Sequence, residues 1–168
     1  MKSKKDSELI AAAYSRILEN TNTDSNDIAK LAAISDEALF RKYGWPKSVP
    51  GSNTFGWQSN LKSAEYAFNS IKGGETDIER ISDEIHKGWN ETAKRFVQDP
   101  DQFDDTQKLR DDGKLDAKLA QRKMLMNLNY SDLEEKEKEK DRVVARALIQ
   151  VIGSGSHRVY DDQFPVIQ

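Results

Sequence analysis

The sequence lacks cysteine altogether, has only two histidines, and contains no long run of apolar residues. Without cysteine the chain can form neither disulfides nor thiolate sites, a composition that we expect of a cytoplasmic protein. The two histidines, His86 and His157, stand far apart in the sequence, so we predict neither a metal site nor a cofactor. No apolar stretch approaches the ~18 residues that a membrane-spanning helix needs, and we therefore expect no membrane partner.

A strong imbalance of charge is also missing. Charged side chains make up 33% of the 168 residues, yet the formal net charge is only -3, which argues against a general nucleic-acid binder. The mean hydropathy of -0.81 and the length together indicate a polar protein of one domain with an extension. The sequence offers no nucleophile–base pair, phosphate-binding loop or metal triad, so we do not expect an enzyme.

What the sequence does contain is helical periodicity. Apolar residues recur at spacings of three and four, and the alternation typical of strands is nearly absent, so we predict an all-α fold. In the N-terminal segment a second helix is predicted near Ile28 and a third from Ser35. The linker that follows carries Trp45 and Trp57, which we expect to pack across the body of the protein. The predicted divisions are an N-terminal three-helix extension (1–45), an aromatic-rich linker with a helix (46–75), a small helical domain (76–153) and a C-terminal tail (154–168).

The final helix places two carboxylates on its apolar face. It is predicted to open at the capping-box pair Ser131 and Glu134. On a helical wheel, Glu137 and Asp141 fall about 40° and 80° from Leu133 and so lie within the apolar stripe. A buried carboxylate without a donor is costly, so each should hold one. Two interpretations stay open, a polar clamp between helices and the lining of a ligand site. The other residues of the predicted stripe are Val144, Leu148 and Val151.

The stretch YSDLEEKEKEKDR, at 130–142, resembles the ryanodine-receptor repeat. Upstream, Ile85, His86 and Trp89 are similar to the pattern on the first helix of that repeat. Together the two motifs place the resemblance over about residues 77–153. The residues that match the second half of the repeat are Tyr130, Leu133, Glu137, Lys138, Asp141 and Arg142.

The resemblance implies a small helical domain without catalytic activity, found in calcium-release channels and in bacterial and phage proteins. Its clefts hold adenine nucleotides in the channels. We therefore expect binding or sequestration of a small anionic ligand, an adenine or cyclic nucleotide, by a monomer or a homodimer. Lys138 and Arg142 would attract phosphate, a tryptophan would stack on the base, and the two carboxylates would hold the framework or take ribose hydroxyls. The candidate ligand-binding residues are His86, Trp89, Tyr130, Glu137, Lys138, Asp141, Arg142, Trp45 and Trp57.

A second resemblance lies at the N-terminus, where DIAKLAAISDEALFRKYG is similar to the helix-turn-helix of TetR-type repressors. In this alternative the chain is a DNA-binding regulator with the repeat as its sensor, and Arg41 and Lys42 contact DNA. The predicted recognition helix, however, opens with Asp36 and Glu37, where a phosphate or a base edge should lie. A protein–protein adaptor that uses the charged final helix is a further alternative.

Overall fold

The computed structural model describes residues 4–19 and 25–154. These residues form α-helices and short 3-10 helices and contain no strand, which confirms the predicted all-α class. None of the described helices combines the length and the apolar character needed to cross a membrane. Most of the C-terminal tail, including His157, lies outside the described residues. The helices are α1 (Lys4–Glu19), α2 (Ser25–Tyr43), α3 (Phe55–Lys72), α4 (Ile78–Gln98), α5 (Thr106–Asp111), α6 (Leu115–Met126) and α7 (Glu135–Ser154).

After α1, the N-terminal segment contains one long helix, α2, where the sequence predicted two shorter helices. The helix start predicted at Ser35 is wrong: this residue is fully buried in the middle of α2. Its hydroxyl donates a hydrogen bond to the Leu31 carbonyl one turn earlier, at 3.0 Å, instead of capping a new helix. Because Leu31, Ile34 and Ala38 share one buried face, the helix continues through this point without a break.

Helix α3 begins at Phe55, within the segment predicted as an aromatic-rich linker with a helix. The side chain of Thr54 accepts a hydrogen bond from the Trp57 backbone N–H and caps the helix. The first turn therefore carries two aromatic residues that the sequence assigned to a loop. Trp57 is only 3% exposed in the main core, whereas Trp45, in the loop before α3, remains 40% exposed.

Helices α3 and α4 lie unusually close together around Gly88. A methyl group added at this glycine would come within 2.6 Å of the Lys62 backbone oxygen, so the helices touch backbone to backbone here. The Ser63 hydroxyl also donates to the Ile85 carbonyl at 3.1 Å. This close approach fixes the positions of His86 and Trp89 along α3.

The main core contains side chains from α1, α2, α3, α4 and α7. Helix α7 begins at Glu135, after a 3-10 helix at Tyr130–Asp132, and its predicted apolar stripe is buried. A second cluster contains Phe55, Phe96 and Phe103, the last from the segment between α4 and α5. Helix α6 contributes no fully buried residue and packs mainly on α4, so it forms an outer wall.

Candidate functional site

A cavity of about 670 Å³ opens between the end of α2, the loop that follows it, and helices α3, α4, α6 and α7. Its volume falls within the roughly 300–1,000 Å³ that small-molecule sites occupy. Five of the predicted ligand-binding residues line it. They are Trp45, His86, Trp89, Glu137 and Asp141.

Aromatic rings run along one wall of this cavity. The rings of His86 and Trp89 are stacked, with centroids 6.1 Å apart and an angle of 10° between their planes. The edge-on contact between Trp89 and Phe55 follows at 5.9 Å. Asp105 fixes the position of Phe55 by accepting its backbone N–H at 3.1 Å. The row offers apolar ring surface to a planar ligand.

Arg122 continues this row from α6 and was missed by the sequence analysis. Its guanidinium carbon lies 3.6 Å from the centre of the Phe55 ring and 4.3 Å from that of Phe96. Its Nη1 atom is buried and has no hydrogen-bond partner among the described residues. Desolvation by burial lowers the pKa of Arg122 to about 10. The sequence signal that could have identified Arg122 is its spacing from Leu115 and Leu119, because this spacing puts it on the inner face of α6.

Further lysines surround this arginine. Lys118, one turn earlier on α6, has a lowered pKa because it is desolvated and because Arg122 and Lys140 add positive charge nearby. Lys140 pairs with Glu137 at 3.0 Å and lies 5.3 Å from the centre of the Trp45 ring. Lys118, Arg122 and Lys140 are among the four cations that line the cavity, and their positive charge favours an anion at this end of it.

The other end of the aromatic row meets carboxylates. His86 donates from Nε2 to the Leu128 carbonyl at 2.9 Å, because a carbonyl can only accept. Its Nδ1 therefore carries a lone pair, which lies 3.9 Å from Asp141 Oδ2. Burial lowers the pKa of His86, so the ring is neutral near pH 7. Burial, and then the charge of Glu137, hold the pKa of Asp141 well above its usual range.

Three of the predicted ligand-binding residues lie outside the cavity. Arg142 donates from Nε and Nη2 to the two carboxylate oxygens of Glu79, at 2.7 and 2.8 Å, and from Nη1 to Glu135 at 2.8 Å. The Tyr130 hydroxyl donates to the same Glu79 at 3.0 Å, and Lys138 lies 5.6 Å from the centre of the tyrosine ring. These contacts hold α4 against α7, and the phosphate-binding role predicted for Lys138 and Arg142 finds no support in them.

The remaining predicted residues also lie away from the cavity. Trp57 is part of the main core and does not line the cavity. Arg41 donates to Glu37 at 2.8 Å, while Lys42 is exposed. Because α2 is continuous, the turn between two helices that the DNA-binding alternative requires is absent within residues 25–43. DNA binding stays a prediction that no observation on the described residues favours.

In the part of the chain that the structure describes, no group of three or more His, Asp or Glu side chains could hold a metal ion. No family model, curated protein or solved structure matches this chain. The geometry of the cavity is therefore the basis for assigning a function.

Proposed function

We propose that this chain is a non-enzymatic protein that binds a small anionic ligand, a nucleotide or a nucleotide-derived molecule, in the cavity between α3, α4, α6 and α7. The observation that carries the proposal is Arg122, a desolvated cation whose Nη1 makes no hydrogen bond to residues 4–19 or 25–154. A buried donor left without an acceptor is costly, and a guanidinium is suited to phosphate or carboxylate oxygens. An anion bound here would supply the missing acceptor.

The walls of the cavity favour a ligand larger than an inorganic anion. Trp89 and Phe55 offer aromatic surface beside the guanidinium of Arg122. Aromatic side chains stack on nucleobases with about 1–3 kcal/mol per base. A phosphate at Arg122 would leave the attached ring to lie along the aromatic row, a combination that describes a nucleotide better than a simple sugar or an organic acid.

This proposal revises the roles that the sequence suggested. The phosphate partners become Arg122 and Lys118 in place of Lys138 and Arg142, whereas Lys140 is paired with Glu137. The cluster around Arg142 acts indirectly, because it holds α4 on α7 and so keeps His86 opposite Asp141. Sequestration of the ligand and assembly into a homodimer stay predictions.

Calorimetry tests the proposal directly. AMP, ADP, cyclic AMP and inorganic phosphate are titrated into the full chain near pH 7, and we expect at least one nucleotide to bind with a submillimolar Kd. Loss of one charge-assisted hydrogen bond should weaken this binding about 10- to 100-fold in Arg122→Gln. Lys123→Gln removes an equal charge from an exposed neighbour on the same helix and should leave Kd unchanged.

Two results would count against the assignment. The first is the absence of heat with every nucleotide at millimolar concentration. The second is an equal loss of affinity in Arg122→Gln and Lys123→Gln, which would trace binding to general charge and not to the cavity.

A further inference from the structure

Asp141 faces the cavity without a direct hydrogen bond to any of the described residues. Its nearest polar neighbour is His86 Nδ1 at 3.9 Å, and that nitrogen carries a lone pair because Nε2–H is donated to Leu128. An ionised carboxylate would face this lone pair and the charge of Glu137, one turn earlier on the same helix. A neutral carboxylic acid could point its O–H toward the His86 lone pair and Glu137 without electrostatic repulsion.

The charged groups around Asp141 support the neutral form. Asp83 on α4 and Glu137 on α7 add negative charge, whereas the nearby Lys140 is already paired with Glu137. Asp36, across the cavity, accepts from the Ser48 backbone N–H and the Asn60 amide and provides no proton. The pKa of Asp141 is raised well above its usual range in agreement with this arrangement. The other charged residues that line the cavity are Lys47, Asp105, Lys118 and Arg122.

We propose that Asp141 serves as a neutral carboxylic acid that donates a hydrogen bond to the ligand. Such a group selects a ligand with an uncharged ring, on whose edge a hydrogen-bond acceptor lies next to a hydrogen-bond donor. The inference rests on the proposed function, since the ligand must occupy the cavity. A neutral acid pairs with such an edge through two hydrogen bonds, its O–H to a ring nitrogen or carbonyl and its C=O from an N–H.

This assignment separates two ligand classes that the cavity would otherwise admit. With a cation at one end of the aromatic row and a carboxyl group at the other, a zwitterion with an ammonium group would be the competing ligand. A neutral Asp141 offers an ammonium group no counter-ion at this end of the row, so an anion joined to an uncharged heteroaromatic ring should bind more tightly than a zwitterion.

The test uses Asp141→Asn, because an amide reproduces the donor and acceptor of a neutral acid but cannot ionise. AMP and L-lysine are titrated into the wild-type chain, Asp141→Asn and Asp141→Ala between pH 5.5 and 9. We expect AMP to bind Asp141→Asn within about 3-fold of wild type at pH 5.5 and Asp141→Ala at least about 10-fold more weakly. As pH rises through the raised pKa of Asp141, wild type should lose affinity relative to Asp141→Asn.

The phosphate of AMP titrates in the same way with wild type and with Asp141→Asn. The ratio of their two affinities at each pH therefore does not depend on the phosphate. A loss of AMP binding in Asp141→Asn at every pH, or tighter binding of L-lysine than of AMP to wild type, would overturn the inference while the cavity remains a binding site. Absence of binding of either probe to wild type would instead overturn the proposed function, and this inference with it.

A measurement without ligand gives independent support. A raised pKa means that the folded chain holds the Asp141 proton more tightly, so its contribution to stability is complete below the unfolded pKa of about 3.9 and is lost as pH rises through the folded pKa. The unfolding midpoint of Asp141→Asn should therefore rise relative to wild type as pH increases above about 4. Glu134→Gln, which removes an exposed carboxylate beside the start of α7, should show no such gain. A fall of the Asp141→Asn midpoint below wild type with rising pH would contradict a neutral Asp141.

Discussion

At the scale of single residues, two arginines show how environment decides a role. Arg142 is held by Glu79 and Glu135 in short charge-assisted hydrogen bonds, and those bonds raise its pKa. Arg122 has ring faces as neighbours, a lowered pKa and an unused donor. The first arginine stabilises the contact between two helices, whereas the second is the residue that we propose binds a ligand. The sequence motif singled out Arg142, the one whose donors are already occupied.

These environments predict opposite effects of the same substitution in the ligand-free chain. Arg122→Met should leave the free energy of unfolding unchanged or raise it, because relief of desolvation offsets a cation–π contribution of up to about 2 kcal/mol. Arg142→Met should lower it by about 1–3 kcal/mol, because Glu79 and Tyr130 lose their partner. Urea denaturation followed by circular dichroism measures both. A larger loss in Arg122→Met than in Arg142→Met would show that Arg122 is structural.

At the scale of helices, the approach of α3 and α4 builds the cavity wall. Gly88 lies between His86 and Trp89 in the sequence and lets the backbone of α4 touch that of α3 at Lys62. Glycine lowers helix propensity by about 1 kcal/mol relative to alanine, so its presence in mid-helix has a packing cause. The sequence of α4 carries no information on how closely α3 would approach it.

We expect Gly88→Ala to lower the free energy of unfolding by about 1–3 kcal/mol despite the gain in helix propensity, because the added methyl meets rigid backbone. Gly56→Ala is the matched control, since its methyl would meet the Ser48 hydroxyl, which can rotate away. Chemical denaturation of the two variants compares them. Equal effects would mean that α3 and α4 can separate at little cost.

At the scale of the whole molecule, α1 and α7, the first and last of the described helices, share one core. Side chains of α1 and α2 pack with those of α7, and a methyl group at Gly153 would come within 2.8 Å of the Leu9 carbonyl. The segment that resembles the ryanodine-receptor repeat therefore buries apolar surface against helices that precede it. The cavity depends on the same packing, because Trp45 reaches it from the loop after α2.

A fragment of residues 76–153 should consequently lack a cooperative thermal transition. It would expose apolar faces of α4 and α7 that α1, α2 and α3 cover in the full chain. Each Å² of apolar surface exposed in this way costs about 25 cal/mol of stability. Calorimetry of the fragment beside the complete 168-residue chain measures this. A sharp transition in the fragment near the temperature of the full chain would identify 76–153 as an independent domain.

The sequence by itself determined the all-α class, the apolar stripe of α7 and the inward direction of Glu137 and Asp141. These are local properties, because side chains three and four positions apart share one face of a helix. The tertiary structure decided that α2 runs unbroken, that Arg142 meets Glu79 from 63 positions away, and that Arg122 packs on Phe55 with no acceptor for Nη1 in the described part of the chain. A charge acquires its partner only when distant helices pack together, so the position of the proposed ligand-binding cation depended on contacts that no local pattern contains.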